Sequence, residues 1–264
     1  MVTQWIVDAF TDTPFKGNSA AVIIVDDYPT EEWMQSIAKE NNLSETAFIK
    51  RLDSSHYHIR WFSPLTEIDF CGHATLASAY ILYHQVGHQG EICFSTNEVG
   101  DLFVKPGGEE RIEMSFPVRT PEPVDVIPEQ LIKGLTITPR QVLRSDQAYF
   151  AIYDKESDVT DLATDNQCLR SLAPFDVVVT AKSESLSYDF VSRYFWPANG
   201  GDEDPVTGSI HAGLMPYWAK QLNKRSLTAL QASERTGVLY GELVDDRVII
   251  SGNAVLFAKA TLFV

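Results

Sequence analysis

Asp69-Phe70-Cys71-Gly72-His73-Ala74-Thr75-Leu76 sets a glycine among polar side chains, and Ala77 and Tyr80 carry the small, apolar run onward at helical spacing. This pattern predicts a turn feeding a helix N-terminus, because glycine eases the turn and the apolar run gives the helix a face to bury. Such a terminus offers unpaired N–H groups and a positive dipole end, which suit a carboxylate. The competing reading is a glycine that only makes a tight turn. A partial echo follows much later in Glu203-Asp204-Pro205-Val206-Thr207-Gly208-Ser209-Ile210-His211. The surroundings of the two stretches also match. Arg60-Trp61-Phe62-Ser63-Pro64 precedes the first and Arg193-Tyr194-Phe195-Trp196-Pro197 the second. Downstream, Glu98-Val99-Gly100-Asp101-Leu102 and Arg111-Ile112-Glu113-Met114 answer to Glu234-Arg235-Thr236-Gly237-Val238-Leu239 and Arg247-Val248-Ile249-Ile250. The landmarks recur in one order at nearly equal spacing. The unit is too long for a solenoid repeat of about 20 to 50 residues. We read a duplicated domain, with a ligand cleft expected between the halves and Gly72, His73, Gly208 and Ser209 facing it.

The chain has 264 residues with 21 basic and 36 acidic side chains, a net charge of −15. That charge disfavours nucleic acid and anionic membranes as partners. The longest aliphatic run, Ala20 to Val25, falls far short of the roughly 20 residues that span a bilayer. With no basic-then-apolar leader at the start, a cytoplasmic location is expected. Cys71, Cys93 and Cys168 are too few and too scattered for a disulfide framework. Only Cys71 lies in a chemical motif. Cys93 and Cys168 read as small buried hydrophobes.

Residues 2 to 10 read as a first strand, and Ala20 to Val25 as a second after the turn Gly17-Asn18-Ser19. Asn18 is either a turn residue or a ligand contact, and the turn is the commoner use of such a pair. Thr30 caps a helix whose apolar face holds Trp33, Met34, Ile37 and Ala38. Leu43 to Ile49 resumes as a strand. Glu45 at its start sits among small and apolar neighbours, which makes it either a partly desolvated proton carrier or a solvated edge glutamate. His56 and His58 share one strand face, but spacing supplies no third metal ligand, and no metal centre is expected. His84 and His88 read as a solvated helix end. The prolines between Phe116 and Pro128 mark a stiff linker. The domains are therefore placed at 1–116 and 117–253, with strand 254–264 pairing back on the first.

Asn42-Leu43-Ser44-Glu45-Thr46-Ala47-Phe48, the Gly72 and Gly208 stretches, Val7-Asp8-Ala9-Phe10, Gly17 to Val22 and Gln231-Ala232-Ser233-Glu234-Arg235 together resemble the PhzF-like phenazine-biosynthesis protein family. The likeness covers nearly the whole chain. It implies the diaminopimelate-epimerase-like α+β fold, with two similar domains that each curve a mostly antiparallel sheet around a central helix. It also implies a homodimer and a cofactor-independent isomerase that moves a proton within a small carboxylate bound in the inter-domain cleft. By resemblance the catalytic residues are Glu45, His73 and Asp204, and the substrate-binding residues are Gly72, Gly208, Ser209, Asn18 and Cys71, with neither metal nor organic cofactor. Related epimerases draw a cysteine from each half. Here Cys71 fills the first place, but the second motif offers Asp204 and no thiol, so a two-thiol racemase is not expected. An epimerase using Cys71 with a carboxylate and a non-catalytic carboxylate-binding protein remain the alternatives. Neither a Gly-x-Ser-x-Gly elbow nor a nucleotide-binding glycine loop occurs.

Overall fold

The computed structural model describes residues 1–264. The chain opens with β1 (Val2–Ala9), β2 (Asn18–Val25), α1 (Glu31–Asn41), β3 (Glu45–Arg51), β4 (His56–Phe62) and β5 (Glu67–Ile68). Next come α2 (Gly72–Ile81), β6 (Ile92–Ser95), β7 (Asp101–Pro106) and β8 (Ile112–Pro117). The second half runs β9 (Glu122–Pro123), α3 (Glu129–Lys133), β10 (Gln141–Arg144), β11 (Ala148–Ile152), α4 (Glu156–Thr160) and α5 (Asn166–Arg170). It continues with β12 (Asp176–Lys182), β13 (Phe190–Phe195), β14 (Glu203–Asp204), α6 (His211–Leu222), β15 (Ser226–Gln231), β16 (Gly237–Val244) and β17 (Arg247–Gly252), and β18 (Ala254–Leu262) closes it. Two compact units result, residues 1–115 with 251–264, and residues 116–250.

In the first unit, β18 pairs with β1 and β1 with β2, both antiparallel. Strand β2 then runs parallel to β3, β3 antiparallel to β4, and β4 parallel to β6, before antiparallel β7 and β8. The short β5 takes the far half of β4's edge, Trp61 and Phe62. The second unit repeats this order. There β10 is antiparallel to β11, β11 parallel to β12, β12 antiparallel to β13, β13 parallel to β15, and β16 follows antiparallel. The short β14 covers Tyr194 and Phe195, as β5 covers its equivalents in the first unit. The repeat read from the sequence is thus a repeat of strand pairing.

Helix α2 explains why the first sheet curves. Nine of its ten residues are buried, all but Tyr80, and it packs on β1, β2 and β3. A helix apolar all round must be enclosed. Its small side chains let the strands approach, and the buried hydroxyls of Thr75 and Ser78 bond back to the carbonyls of Cys71 and Ala74 at 2.6 and 2.7 Å. On the other side, α1 seals Ile23, Phe48 and Phe62 with Met34, Ile37 and Ala38. Thr30 caps it by accepting from the Trp33 N–H, and Asn42, at φ 49°, ends it.

Helix α6 follows β14 in the second unit as α2 follows β5 in the first, and it packs on β15 and β16. Pro216 lies inside it. Proline has no N–H to give the carbonyl four residues back, and the Arg119 N–H fills that gap by donating to the Ala212 oxygen at 3.0 Å. The separate core of this unit is built from Leu131, Val142, Ala151, Val177, Val191 and Phe195. Two local expectations change. Asn18 is the first residue of β2 and fully buried, so it is no mere turn residue; Gly17, at φ +66°, makes the turn. Gly208 and Ser209 lie in a turn ahead of α6, which begins only at His211, so the second stretch does not reproduce the helix start at Gly72.

Candidate active site

Each unit ends a strand of its sheet in the same device. Arg60 on β4 grips Glu67 on β5 through two bonds of 2.6 and 2.5 Å, and Arg193 on β13 grips Glu203 on β14 at 2.8 and 2.9 Å. A planar fork on a carboxylate fixes angle as well as distance. The two short return strands are thereby held just before the stretches that lead to Gly72 and Gly208.

In the first unit the parallel pairing of β2 and β3 sets Glu45 beside Ala20, while α2 carries His73 in its first turn. Glu45 and His73 are both buried, and His73 Nε2 stands 2.9 Å from Glu45 Oε2. No donor other than His73 reaches that oxygen, which leaves it an unused lone pair. The solvated-edge reading of Glu45 is therefore replaced by a buried carboxylate. On the other side of the ring, Nδ1 faces Asn18 Nδ2 at 3.2 Å, and the Ser44 hydroxyl donates to Asn18 Oδ1 at 3.0 Å. With the Asn18 amide nitrogen donating to Nδ1, the neutral ring carries its proton on Nε2, toward Glu45. Burial by itself would push the His73 imidazole down, while negative charge at Cys71 and Glu45 pushes it up; the net direction is well above the ordinary histidine range.

Cys71 is the N-cap of α2. Its sulfur accepts from the Ala74 N–H at 3.4 Å and lies 3.4 Å from His73 Nδ1. Burial, and then the nearby Glu45 carboxylate, push its thiol up to about 11. The thiol therefore keeps its proton near pH 7, so of the two groups that can push His73 up only the Glu45 carboxylate is charged there, and the Cys71 contribution needs the thiolate. Glu45, Cys71 and His73 bring potential ligand atoms within 4.8 Å of one another. A metal there would have to replace the His73–Glu45 contact and the cap.

The second unit sets Asp204 at the end of β14 and Gly208 and Ser209 in the turn that follows, a segment tied down from several sides. Asp204 Oδ2 accepts from the Thr207 hydroxyl at 2.5 Å. Gln231 is fully buried; its Oε1 accepts from the Thr207 N–H, and its Nε2 donates to the Asp204 carbonyl, both at 2.9 Å. The Ser233 hydroxyl donates to the Pro205 carbonyl at 2.7 Å. His211 sits 2.8 Å from the Thr207 carbonyl through Nδ1, and burial pushes its imidazole down to about 4, so it is neutral and donates. Ser209 Oγ accepts from Gln147 Nε2 at 2.9 Å, which leaves its own proton to give. Gln147 also meets Tyr194 OH at 2.9 Å, and Tyr194 donates to Asp176 Oδ2 at 2.5 Å. Burial pushes Asp176 up, so this carboxylate is partly relieved of its charge cost by its two donors, Tyr194 and Asn199.

Of the residues singled out from sequence, Glu45, His73, Cys71, Gly72 and Asn18 meet in one cluster. Asp204 at the end of β14 and Gly208 and Ser209 in the turn after it share one segment of the second unit. Ser44, Thr207, Gln231 and Gln147 were not singled out. Gln231 did leave a signal. It follows Leu227 and Ala229 at period two in β15, so a polar side chain falls on the inward row.

The pattern shared by phenazine biosynthesis-like proteins, the PhzC-PhzF family, matches residues 7–260. An uncharacterized isomerase of Pseudomonas aeruginosa is 43% identical over 261 residues, covering 99% of this chain and 98% of its own. A solved PhzF-family phenazine biosynthesis protein of Enterococcus faecalis superposes with a TM-score of 0.91 at 41% identity, over 99% of each chain. A hydroxyproline epimerase of Agrobacterium vitis shares the fold alone, with a TM-score of 0.55 at 10% identity over 98% of this chain and 91% of its own. The duplicated sheet-and-helix architecture, the buried Glu45–His73 pair and these similarities lead to one conclusion: the chain belongs to the PhzC-PhzF family of phenazine biosynthesis-like proteins.

Proposed function

We propose that the protein is a cofactor-independent isomerase that moves a proton within a small carboxylate substrate, with Glu45 as the proton carrier. One observation carries the reading: Glu45 Oε2 is buried against His73 Nε2 at 2.9 Å, and no donor other than His73 reaches it. A carboxylate used only for structure in such a place would be fully bonded. In this reading the unused lone pair takes a proton from a substrate C–H, and the carboxylic acid so formed returns it to a second carbon. No bond to the protein forms, and the proton count is unchanged at the end. His73, protonated, stabilises the Glu45 carboxylate before the first transfer and again after the second. Asn18 and Ser44 hold the imidazole plane. Asp204, Gly208 and Ser209 are proposed to act on the substrate's own carboxylate and at the second carbon, Ser209 as a hydroxyl donor.

A thiol base at Cys71 is the weaker reading, because a thiol with a pKa pushed up to about 11 and committed to a helix cap is a poor source of thiolate at pH 7. The experiment is incubation with a panel of cyclic and amino carboxylic acids in D2O, followed by NMR. Solvent deuterium entering the carbon skeleton of one compound is the expected result. Saturable binding of carboxylates with no exchange into any that bind would instead favour a binding protein.

A further inference from the structure

His56 and His58 share a strand face, but sequence spacing gives them no third partner, and the sheet itself supplies one. Parallel pairing of β4 and β6 sets His56 beside Cys93, and antiparallel pairing of β6 and β7 sets Asp101 beside Ser95. Because side chains alternate along a strand, Cys93 and Ser95 point to the same face. The ligand atoms of His56, Cys93 and Asp101 all lie within 4.8 Å of one another. His58 is not part of this group, since its Nδ1 pairs with Tyr28 OH at 2.9 Å.

We propose that His56, Cys93 and Asp101 bind a divalent transition-metal ion of borderline softness, with Zn2+ as the type case. Imidazole nitrogen, thiolate sulfur and carboxylate oxygen are the three ligand classes zinc takes, and a thiolate selects against Mg2+ and Ca2+. Asp101 is exposed while His56 and Cys93 are half-buried, so a fourth position opens to solvent. A second observation, independent of the three ligands, points the same way. Asp53 has its Oδ1 fixed by the N–H groups of Ser55 and His56, both at 2.9 Å, and its Oδ2 lies 4.0 Å from His56 Nδ1. At 4.0 Å this is an ion-pair distance and not a hydrogen bond, so the carboxylate favours a ring turned with Nδ1 toward it and Nε2 toward the ligand group. His56 Nε2 accordingly faces β6, in contact with the Ser95 hydroxyl. On binding, the Cys93 S–H bond breaks, the sulfur keeps the electron pair and bonds the ion, and one proton leaves to solvent. The net charge of −15 favours the arrival of a cation.

The test uses the full chain, stripped with a chelator and titrated with ZnCl2 by calorimetry and with CoCl2 by absorption spectroscopy. The expected result is one equivalent of zinc and a near-ultraviolet thiolate-to-cobalt charge-transfer band. Both vanish in Cys93→Ser and His56→Gln and persist in Cys71→Ser, which separates this site from the buried trio around Glu45. Asp53→Asn weakens binding by roughly 10- to 100-fold, the usual cost of losing an outer carboxylate. Circular dichroism confirms that each variant is folded. Absence of stoichiometric zinc binding, a cobalt complex without the thiolate band, binding that survives Cys93→Ser, or binding lost in Cys71→Ser overturns the proposal.

Discussion

Cys71 has its chemistry set by where it is buried. Its sulfur caps α2, and burial with the Glu45 carboxylate holds the thiol up at about 11. The thiol's ordinary value is 9.0, so the folded form keeps its proton more tightly than the unfolded chain. Stability from this group is full below pH 9 and is lost as pH climbs toward 11, by about 3 kcal/mol, the free energy that separates a thiol at 9.0 from one at about 11. Cys71→Ser keeps a capping oxygen and removes the titration. Its urea midpoint is expected to fall less between pH 8.5 and pH 11 than that of the unmodified chain; parallel slopes would contradict the burial argument. The same neutral thiol should react late with iodoacetamide at pH 8. Mass spectrometry is expected to find Cys93 and Cys168, both partly exposed, alkylated before Cys71. His211 works in the opposite direction: with its imidazole held down to about 4, it contributes stability above pH 6.5 that is lost as the pH falls toward 4.

Elements were legible where their signals are local. Thr30 marks the start of α1, and β-branched residues mark β2. The Arg60 and Arg193 motifs marked the repeat, though their role as forks on Glu67 and Glu203 needed the return strands to be seen. What stayed hidden depends on partners far apart in sequence. Gln147 reaches Ser209, Gln231 holds Thr207, and Asn18 meets His73, and no short-range pattern encodes these contacts. Asn18 misled for a clear reason: Asn beside Gly is turn chemistry, and only strand pairing reveals that its side chain points inward. Helix α6 offers a test of element packing. A Cβ built on Gly213 would lie 2.8 Å from Phe150 Cζ and 2.9 Å from the Arg119 carbonyl oxygen. Alanine gains about 1 kcal/mol of helix propensity over glycine, but overpacking against a fixed backbone costs roughly 1–3 kcal/mol. Gly213→Ala is therefore expected to lower the thermal midpoint; a rise would show that α6 shifts freely.

For the whole molecule, duplication is the organising fact, since both units use one order of strand pairings around one buried helix. The two copies are not chemically equal. The first carries a buried carboxylate, imidazole and thiol, while the second carries an Asp–Thr–Gln loop with no cysteine. No helix is long and apolar enough to cross a membrane. At a net charge of −15, self-repulsion opposes compactness, so moderate salt is expected to raise the thermal midpoint in scanning calorimetry; a fall would mean that ion pairs such as Arg60–Glu67 outweigh the repulsion. The central claim is that Glu45 carries the proton. The most direct measurement is the rate of solvent deuterium incorporation into an exchanging carboxylate, compared between the unmodified chain and Glu45→Gln, with Cys71→Ser alongside. Glu45→Gln is expected to lose roughly 10²–10⁴-fold in exchange rate while still binding the compound, and Cys71→Ser to retain most of it. Undiminished exchange in Glu45→Gln, or loss confined to Cys71→Ser, would contradict the account.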